Sequence, residues 1–371
     1  MGSSTFLILG GYGFAGLNLA ELLLQETDLR LILAGRSAEK ANEAAARFNE
    51  RFPGERVGAR RCDAADATSL RQAFQGVDFV LVASSTVAYT REVAAAALAT
   101  GIDYLDIQFS SRRLPLLRAM APDIEKAGLC FVTEAGFHPG LPAVLVRYLA
   151  TQLSHMERAV VAGLLNQEGG FPYTSSVDEL VQEFKDYRAE VFVNGTWRPA
   201  DLTTMRDNVT IDFGPPFGRR SCAPMSLYEM YDLPRMFPSL VQTGFYVAGF
   251  NWFTDWVLFP VMMLALHIWP ERAVKPMGRL LCWATKTFGS PPYGVIVKAE
   301  ASGDKNGAPA TASVIVSHAD GYKLTAVPVV AYLLQYLDGS ARKVGLHMMG
   351  HLADPVRLLR DMERMGIRVQ T

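Results

Sequence analysis

Neither sign of charge is in surplus in this chain of 371 residues: Lys plus Arg number 36 and Asp plus Glu 37, for a net charge of −1. Without a basic excess there is no chain-wide attraction to a polyanion, so nucleic acid is not expected as a partner. Cysteine is scarce. The four present, Cys62, Cys130, Cys222 and Cys282, stand far apart with no CxxC pair, which argues against a zinc ribbon or a disulfide framework and fits a reducing cytoplasm. Long apolar runs are missing too. The longest, Trp256 to Leu266, lies between Asp255 and His267 and falls short of the ~18 residues expected of a membrane span. The start, MGSSTFLILGG, has neither the basic region nor the cleavage site of a signal peptide, and Phe6 stands where an N-myristoylation signal wants Ser or Thr.

What is present is alternation. Apolar stretches Thr5–Gly10, Leu29–Arg36, Val77–Ser85, Ile102–Ile107 and Leu129–Gly136 read as buried strands, with helical patterns between them, such as FAGLNLAELLLQE and TREVAAAALATG. Strands alternating with helices of this length predict a Rossmann-type α/β fold, a doubly wound parallel sheet with helices on both faces. After Glu157 the pattern changes. RAVVAGLLN reads as a strand, SSVDELVQEFKD as a helix capped by Ser175 or Ser176, and EVFVNGTWRPA as a hairpin about Asn194-Gly195. The second domain is therefore expected to be a mixed, largely antiparallel α+β unit. A late apolar helix, Lys323 to Leu337, is expected to return to the first. The division is 1–152 plus 322–371 for the nucleotide domain and 153–321 for the substrate and dimerisation domain, with a homodimer expected.

The first strand ends in Gly10-Gly11-Tyr12-Gly13-Phe14-Ala15-Gly16, a G-x-G-x-x-G opening a helix. In that pattern one glycine allows the tight turn, the next lets a pyrophosphate approach the main chain, and the third lets helix and strand pack closely. The second strand ends in Arg36-Ser37, not in the acid that would accept hydrogen bonds from an NAD ribose. A guanidinium and a hydroxyl suit a 2′-phosphate, so NADP is expected and NAD less so. Asp63, after the third strand, is a candidate acceptor for the adenine amine, and Ser84 and Ser85, ending the fourth, are candidates to line the cofactor's path.

Glu134-Ala135-Gly136-Phe137-His138-Pro139-Gly140-Leu141-Pro142 follows the strand LCFVT. His138 titrates near neutrality in its ordinary state and is the candidate proton shuttle, with Glu134 as its catalytic companion. This turn, the glycine loop, VFVNGTWRP and the C-terminal YKLTAVPVVAYLLQYLDG and GLHMMGHLADPVRLLRDMERMGIRV together resemble the saccharopine dehydrogenase-like family. The resemblance implies a nicotinamide-binding domain completed by a C-terminal helix, a second α/β domain with substrate and dimer contacts, and NADP-linked hydride transfer at a C–N bond of an amino acid derivative. Family members often carry Asp where this chain has His138. Short-chain dehydrogenases share a glycine-rich first turn but need a Tyr-x-x-x-Lys pair, which this chain lacks.

Elsewhere, Arg235 is a candidate clamp for a substrate carboxylate. His347 and His351 stand at i and i+4, but with Gly350 between them and no acid beside them they predict no metal site. The segment 250–269 reads as a core or dimer-interface helix, with shallow contact on a membrane surface as the alternative. Two rival functions stay open: reduction of an apolar enoyl or carbonyl substrate, and a membrane-docked nucleotide-binding protein without turnover.

Overall fold

A computed structural model describes residues 4–186, 189–202 and 204–371; the Gly2 of the myristoylation reading lies outside them. The chain divides into two compact units, Met1–Gly136 with Thr325–Asp354, and Phe137–Leu324 with Pro355–Thr371. Strands are numbered β1 to β16 along the chain.

In the first unit, β1 (Thr5–Leu9), β2 (Arg30–Gly35), β3 (Val57–Arg61), β4 (Phe79–Val82), β5 (Asp103–Asp106), β6 (Cys130–Thr133) and β15 (Gly345–Met348) form one sheet in the order β15-β6-β5-β4-β1-β2-β3. Every pairing in it is parallel. The order reverses at β1, where β2 lies on one side and β4 on the other; in such sheets ligands bind beyond the carboxyl ends at that point. Both faces are covered, so the central strands are apolar throughout: Leu7, Ile8, Val80, Leu81, Phe131 and Val132 are all buried. The helix Ala38–Arg51 shows the matching logic. Ala41, Ala44, Ala45 and Phe48 recur at helical spacing and are its buried residues, and Ser37 caps its start by accepting from the Lys40 amide at 3.3 Å.

The helix Gly321–Leu337 continues through Pro328 into this unit. Its Tyr336 donates to Asp103 Oδ2 at 2.5 Å and packs edge-on against Phe79. Arg342 reaches the same carboxylate at 2.8 Å, so an acid at the start of β5 anchors the returning chain.

The second unit holds β7 (His155–Asn166), β8 (Glu190–Val193), β9 (Thr196–Pro199), β10 (Val209–Asp212), β11 (Arg219–Met225), β12 (Gln242–Ala248), β13 (Gly294–Lys305), β14 (Ala308–His318) and β16 (Arg368–Gln370). They make one nine-stranded sheet along β10-β11-β12-β7-β13-β14-β16, with β8 and β9 attached through β12. Only the pairing of β12 with β7 is parallel. Two tight hairpins carry positive φ at both central residues, Asn194-Gly195 and Asn306-Gly307, as a primed turn requires. The sequence places residues 137–152 and 355–371 with the first unit. By contact they go with the second, because the helix Leu141–Ala150 packs on β7 and β13 and β16 pairs with β14.

Two local expectations need correction. The helix Ser175–Glu183 begins after Thr174, not after Ser175 or Ser176, and Thr174 makes no side-chain cap; its hydroxyl meets Ser176 Oγ at 2.7 Å. The segment 250–269, expected as a core or dimer-interface helix, joins the second unit's core along one stripe only. A π-helical turn, Thr254–Leu258, leads into the helix Phe259–Ile268, and only Thr254, Leu258, Met262 and Leu266 are buried between Trp252 and Trp269.

Candidate functional site

The carboxyl ends of the parallel strands bring together most of the residues singled out in the sequence. Leu9, Ala34 and Val82 are register partners at the ends of β1, β2 and β4, so the loops that follow share one edge. Gly10 turns the chain with φ of +88°, where any side chain would be strained, and a Cβ there would meet Ser84 Cβ at 2.7 Å. At Gly16 a Cβ would lie 2.2 Å from the Gly10 carbonyl oxygen, so the helix Phe14–Glu26 can sit this close to the turn only with glycine. Gly13 differs. A Cβ there would find only Gly10 O, at 3.2 Å, which leaves main chain open to an approaching group. No side chain caps the helix that Gly13 begins, and no acid stands in its first turn. A cradle of this shape fits the diphosphate of a dinucleotide.

Tyr12 is a strut within the loop. Its ring lies against Gly35, where a Cβ would approach it to 2.6 Å, and its hydroxyl accepts from the Ser37 amide at 3.1 Å. Arg36 is exposed, with no side-chain hydrogen bond or ion pair among the described residues. Ser37 Oγ is used as acceptor by the cap but keeps its own proton for donation. Asp63 is half-buried and turns its Oδ1 to the Ala65 amide at 3.1 Å, closing a local turn. Ser84 Oγ meets Thr86 Oγ1 at 3.1 Å, Ser85 is half-buried, and Phe14 and Ala15 open the helix with Phe14 exposed.

Beside these loops lies a buried polar network that the sequence did not reveal. Arg113, fully buried, donates Nε to Thr133 Oγ1 at 3.1 Å, one terminal nitrogen to Glu134 Oε1 at 2.6 Å and the other to the Gln108 carbonyl. Its Nε is also 3.1 Å from Asp106 Oδ1. Tyr104 donates to Asp106 Oδ2 at 2.8 Å and Thr133 to both carboxylate oxygens. Burial lifts the Asp106 carboxyl above its ordinary range, and the Arg113 guanidinium opposes the rise. Gln108 in turn donates to Ser84 O at 2.6 Å and Thr86 Oγ1 at 3.0 Å, linking the network to the loop after β4. Glu134, at φ of +56°, is held inside this network. One signal was available: an acid within a strand buried on both faces, as at Asp106, has no wet side to turn to. The Arg112-Arg113 pair gave none, since tandem arginines ordinarily read as a solvated helix start.

His138 belongs to the second unit. Its ring packs against Phe137, centroids 3.8 Å apart, and near Phe245 at 5.8 Å. Burial pulls its pKa down to about 4, so the imidazole is neutral at pH 7. Its Nδ1 is buried and without a partner among the described residues. The turn that carries it is held by Glu229, fully buried, which accepts from the Gly140 amide at 2.7 Å and the Ala143 amide at 3.2 Å and so caps the helix Leu141–Ala150 from a distant element. Nothing local in the sequence could have paired residues that far apart. Arg235 is a surface residue, its side chain 86% exposed and 3.8 Å from Asp232. His347 Nε2 lies 3.0 Å from the Val344 carbonyl; His347 is on β15 and His351 on the following short helix, not on one helix face.

Residues 6–132, the glycine loop and its strands included, match the family described as saccharopine dehydrogenase NADP binding domain. Over this first domain the chain is similar to the saccharopine dehydrogenase NADP binding domain. No curated protein matches it significantly. Among solved structures, apo saccharopine dehydrogenase (L-Glu forming) from Saccharomyces cerevisiae is similar over 99% of both chains, at 15% identity and a TM-score of 0.69. That is a likeness of fold. An engineered D-amino acid dehydrogenase bound to NADP+ is more distantly similar, over 98% of this chain and all of its own, at 14% identity and a TM-score of 0.48. The matched residues take in β2 to β5 and the loop between Gly10 and Gly16, but not β15.

Proposed function

We propose that the protein is an NADP-dependent oxidoreductase acting at the C–N bond of an amino acid derivative. The observation that carries the proposal is the glycine cradle with an exposed guanidinium, that of Arg36, at the carboxyl end of β2 where an NAD-specific site would carry an acid. Bound NADP(H) would supply or accept the hydride. Arg36 and Ser37 would hold the 2′-phosphate, by charge and by the free hydroxyl proton, and the open main chain at Gly13 would admit the diphosphate.

His138 is the residue assigned to the substrate. Its unpartnered Nδ1 is a buried polar atom that a substrate N–H or O–H would satisfy, and a neutral imidazole is able to take a proton as an amine is oxidised. Glu134, committed to Arg113, keeps the end of β6 in place rather than exchanging the proton. The amino acid derivative as substrate class rests on the family resemblance.

A second reading has its own observation. The Phe137 and Phe245 rings beside His138 make an apolar surround and suit reduction of an enoyl or carbonyl compound. The test is NADPH oxidation followed at the nicotinamide absorbance band, with amine plus 2-oxo acid pairs in one panel and apolar enoyl and carbonyl compounds in another. Turnover confined to the first panel supports the C–N reading, and turnover confined to the second replaces it.

A further inference from the structure

Between Trp252 and Trp269 the second unit carries an apolar surface that none of the described residues covers. Thr254, Leu258, Met262 and Leu266, four residues apart, form the inner stripe, which packs with the helix Val274–Phe288. The outward residues are apolar as well. Trp252, Trp256, Val261, Leu264, Ile268 and Trp269 are exposed, Trp256 by 66% and Leu264 by 60%. From Val257 to Ile268 the only polar residue is His267. A helix that faces water on its outer side carries polar residues there; this one is apolar around most of its circumference.

We propose that this face docks on the surface of a lipid bilayer containing anionic lipid, lying in the interface without crossing it. Three features choose that occupant. Among the described residues no helix is long and apolar enough to span a membrane. The face is bounded by tryptophans at both ends, Trp252 and Trp256 at one and Trp269 at the other, and indole is the side chain that settles at headgroup depth. The charge beside it is basic. Arg272, Lys275, Arg279 and Lys286 are exposed, and from Arg272 to Phe288 there is no acid; of the acids nearby, Asp178 lies against Gly278 and accepts from the Tyr173 hydroxyl, Asp255 is half-buried and accepts from the Phe250 amide, and Glu271 lies 3.8 Å from Lys185. Anionic headgroups complement this arrangement. Pairing the face with a second copy would set two such basic helices side by side.

The test uses the full-length protein with phosphatidylcholine vesicles prepared with and without phosphatidylserine, read by flotation and by the tryptophan emission maximum. The proposal expects flotation with the vesicles, a blue shift, and tighter binding when phosphatidylserine is present. Leu264→Glu should weaken binding about tenfold or more, since a buried leucine side chain accounts for that much. The double variant Arg272→Glu/Lys275→Glu, at two exposed residues, should abolish the preference for phosphatidylserine; it leaves the apolar stripe intact, so it also tests the claim should Leu264→Glu fold poorly. No flotation and no blue shift with either vesicle overturns the proposal. So does a sedimentation mass of two chains that falls to one in Leu264→Glu while the parent ignores vesicles, which would make the face a dimer interface.

Discussion

Replacing Arg113 by methionine is the sharpest structural test, because one guanidinium serves two buried carboxylates. Arg113 is fully buried, and the Asp106 and Glu134 side chains it meets are at most 3% exposed. Methionine fills similar volume but removes from a buried site the guanidinium that both acids share. Removing one partner of a buried ion pair typically costs about 3–5 kcal/mol. In a domain of this size that corresponds to a fall in Tm of roughly 6–20 °C. The deficit also has a direction with pH. A buried carboxyl group that loses its guanidinium has its folded pKa pushed above its unfolded value of about 4, so it opposes folding at pH 7 and ceases to do so once protonated in both states. The deficit of Arg113→Met relative to the parent should therefore shrink as pH is lowered from 7 toward 4, and Arg113→Met/Glu134→Gln should recover part of it at pH 7. Urea denaturation at several pH values measures all three. A loss below about 1 kcal/mol that is the same at every pH would refute the claim that this network holds the ends of β5 and β6.

Three further outcomes follow from the same structure. Gly16→Ala puts a methyl 2.2 Å from the Gly10 carbonyl oxygen, so it should displace the cradle and remove dinucleotide binding by calorimetry while circular dichroism stays near the parent's. His138 is neutral when folded, with its pKa lowered to about 4, and in the unfolded chain takes its proton near ~6.5. Its contribution to stability is therefore present above that value and lost as pH falls toward 4, by up to about 3 kcal/mol. His138→Asn should flatten that part of the pH–stability curve and, in steady-state assays, lower kcat more than it raises KM. Glu229→Ala strands the Gly140 and Ala143 amides and should cost roughly 1–3 kcal/mol in denaturant titration.

The parallel sheet was legible because its signals are local and repeated: apolar strands buried on both faces, helices with periodic apolar stripes, and glycines where the main chain turns at Gly10 and packs at Gly16. The first hairpin was likewise announced, by Asn194-Gly195. What could not be read was whatever depends on distant pairs. Glu229 caps a helix nearly ninety residues before it, and Arg113 looks like an ordinary surface arginine until β5 and β6 enclose it. The segment 250–269 misled for a different reason. An apolar run of that length ordinarily signals burial, but only Thr254, Leu258, Met262 and Leu266 are fully buried here, and the inward stripe is indistinguishable by composition from the outward one.

The account stands on a dinucleotide held by the loop between Gly10 and Gly16 with Arg36 at its phosphate. Calorimetric titration of NADP and NAD into the parent protein and Arg36→Glu tests this most directly. A charge-assisted contact contributes about 1.5–3 kcal/mol, so NADP should bind the parent at least about tenfold more tightly than NAD, and Arg36→Glu should erase that margin without harming the weaker NAD affinity. Equal binding of the two nucleotides by the parent, or NADP affinity unchanged in Arg36→Glu, would contradict it.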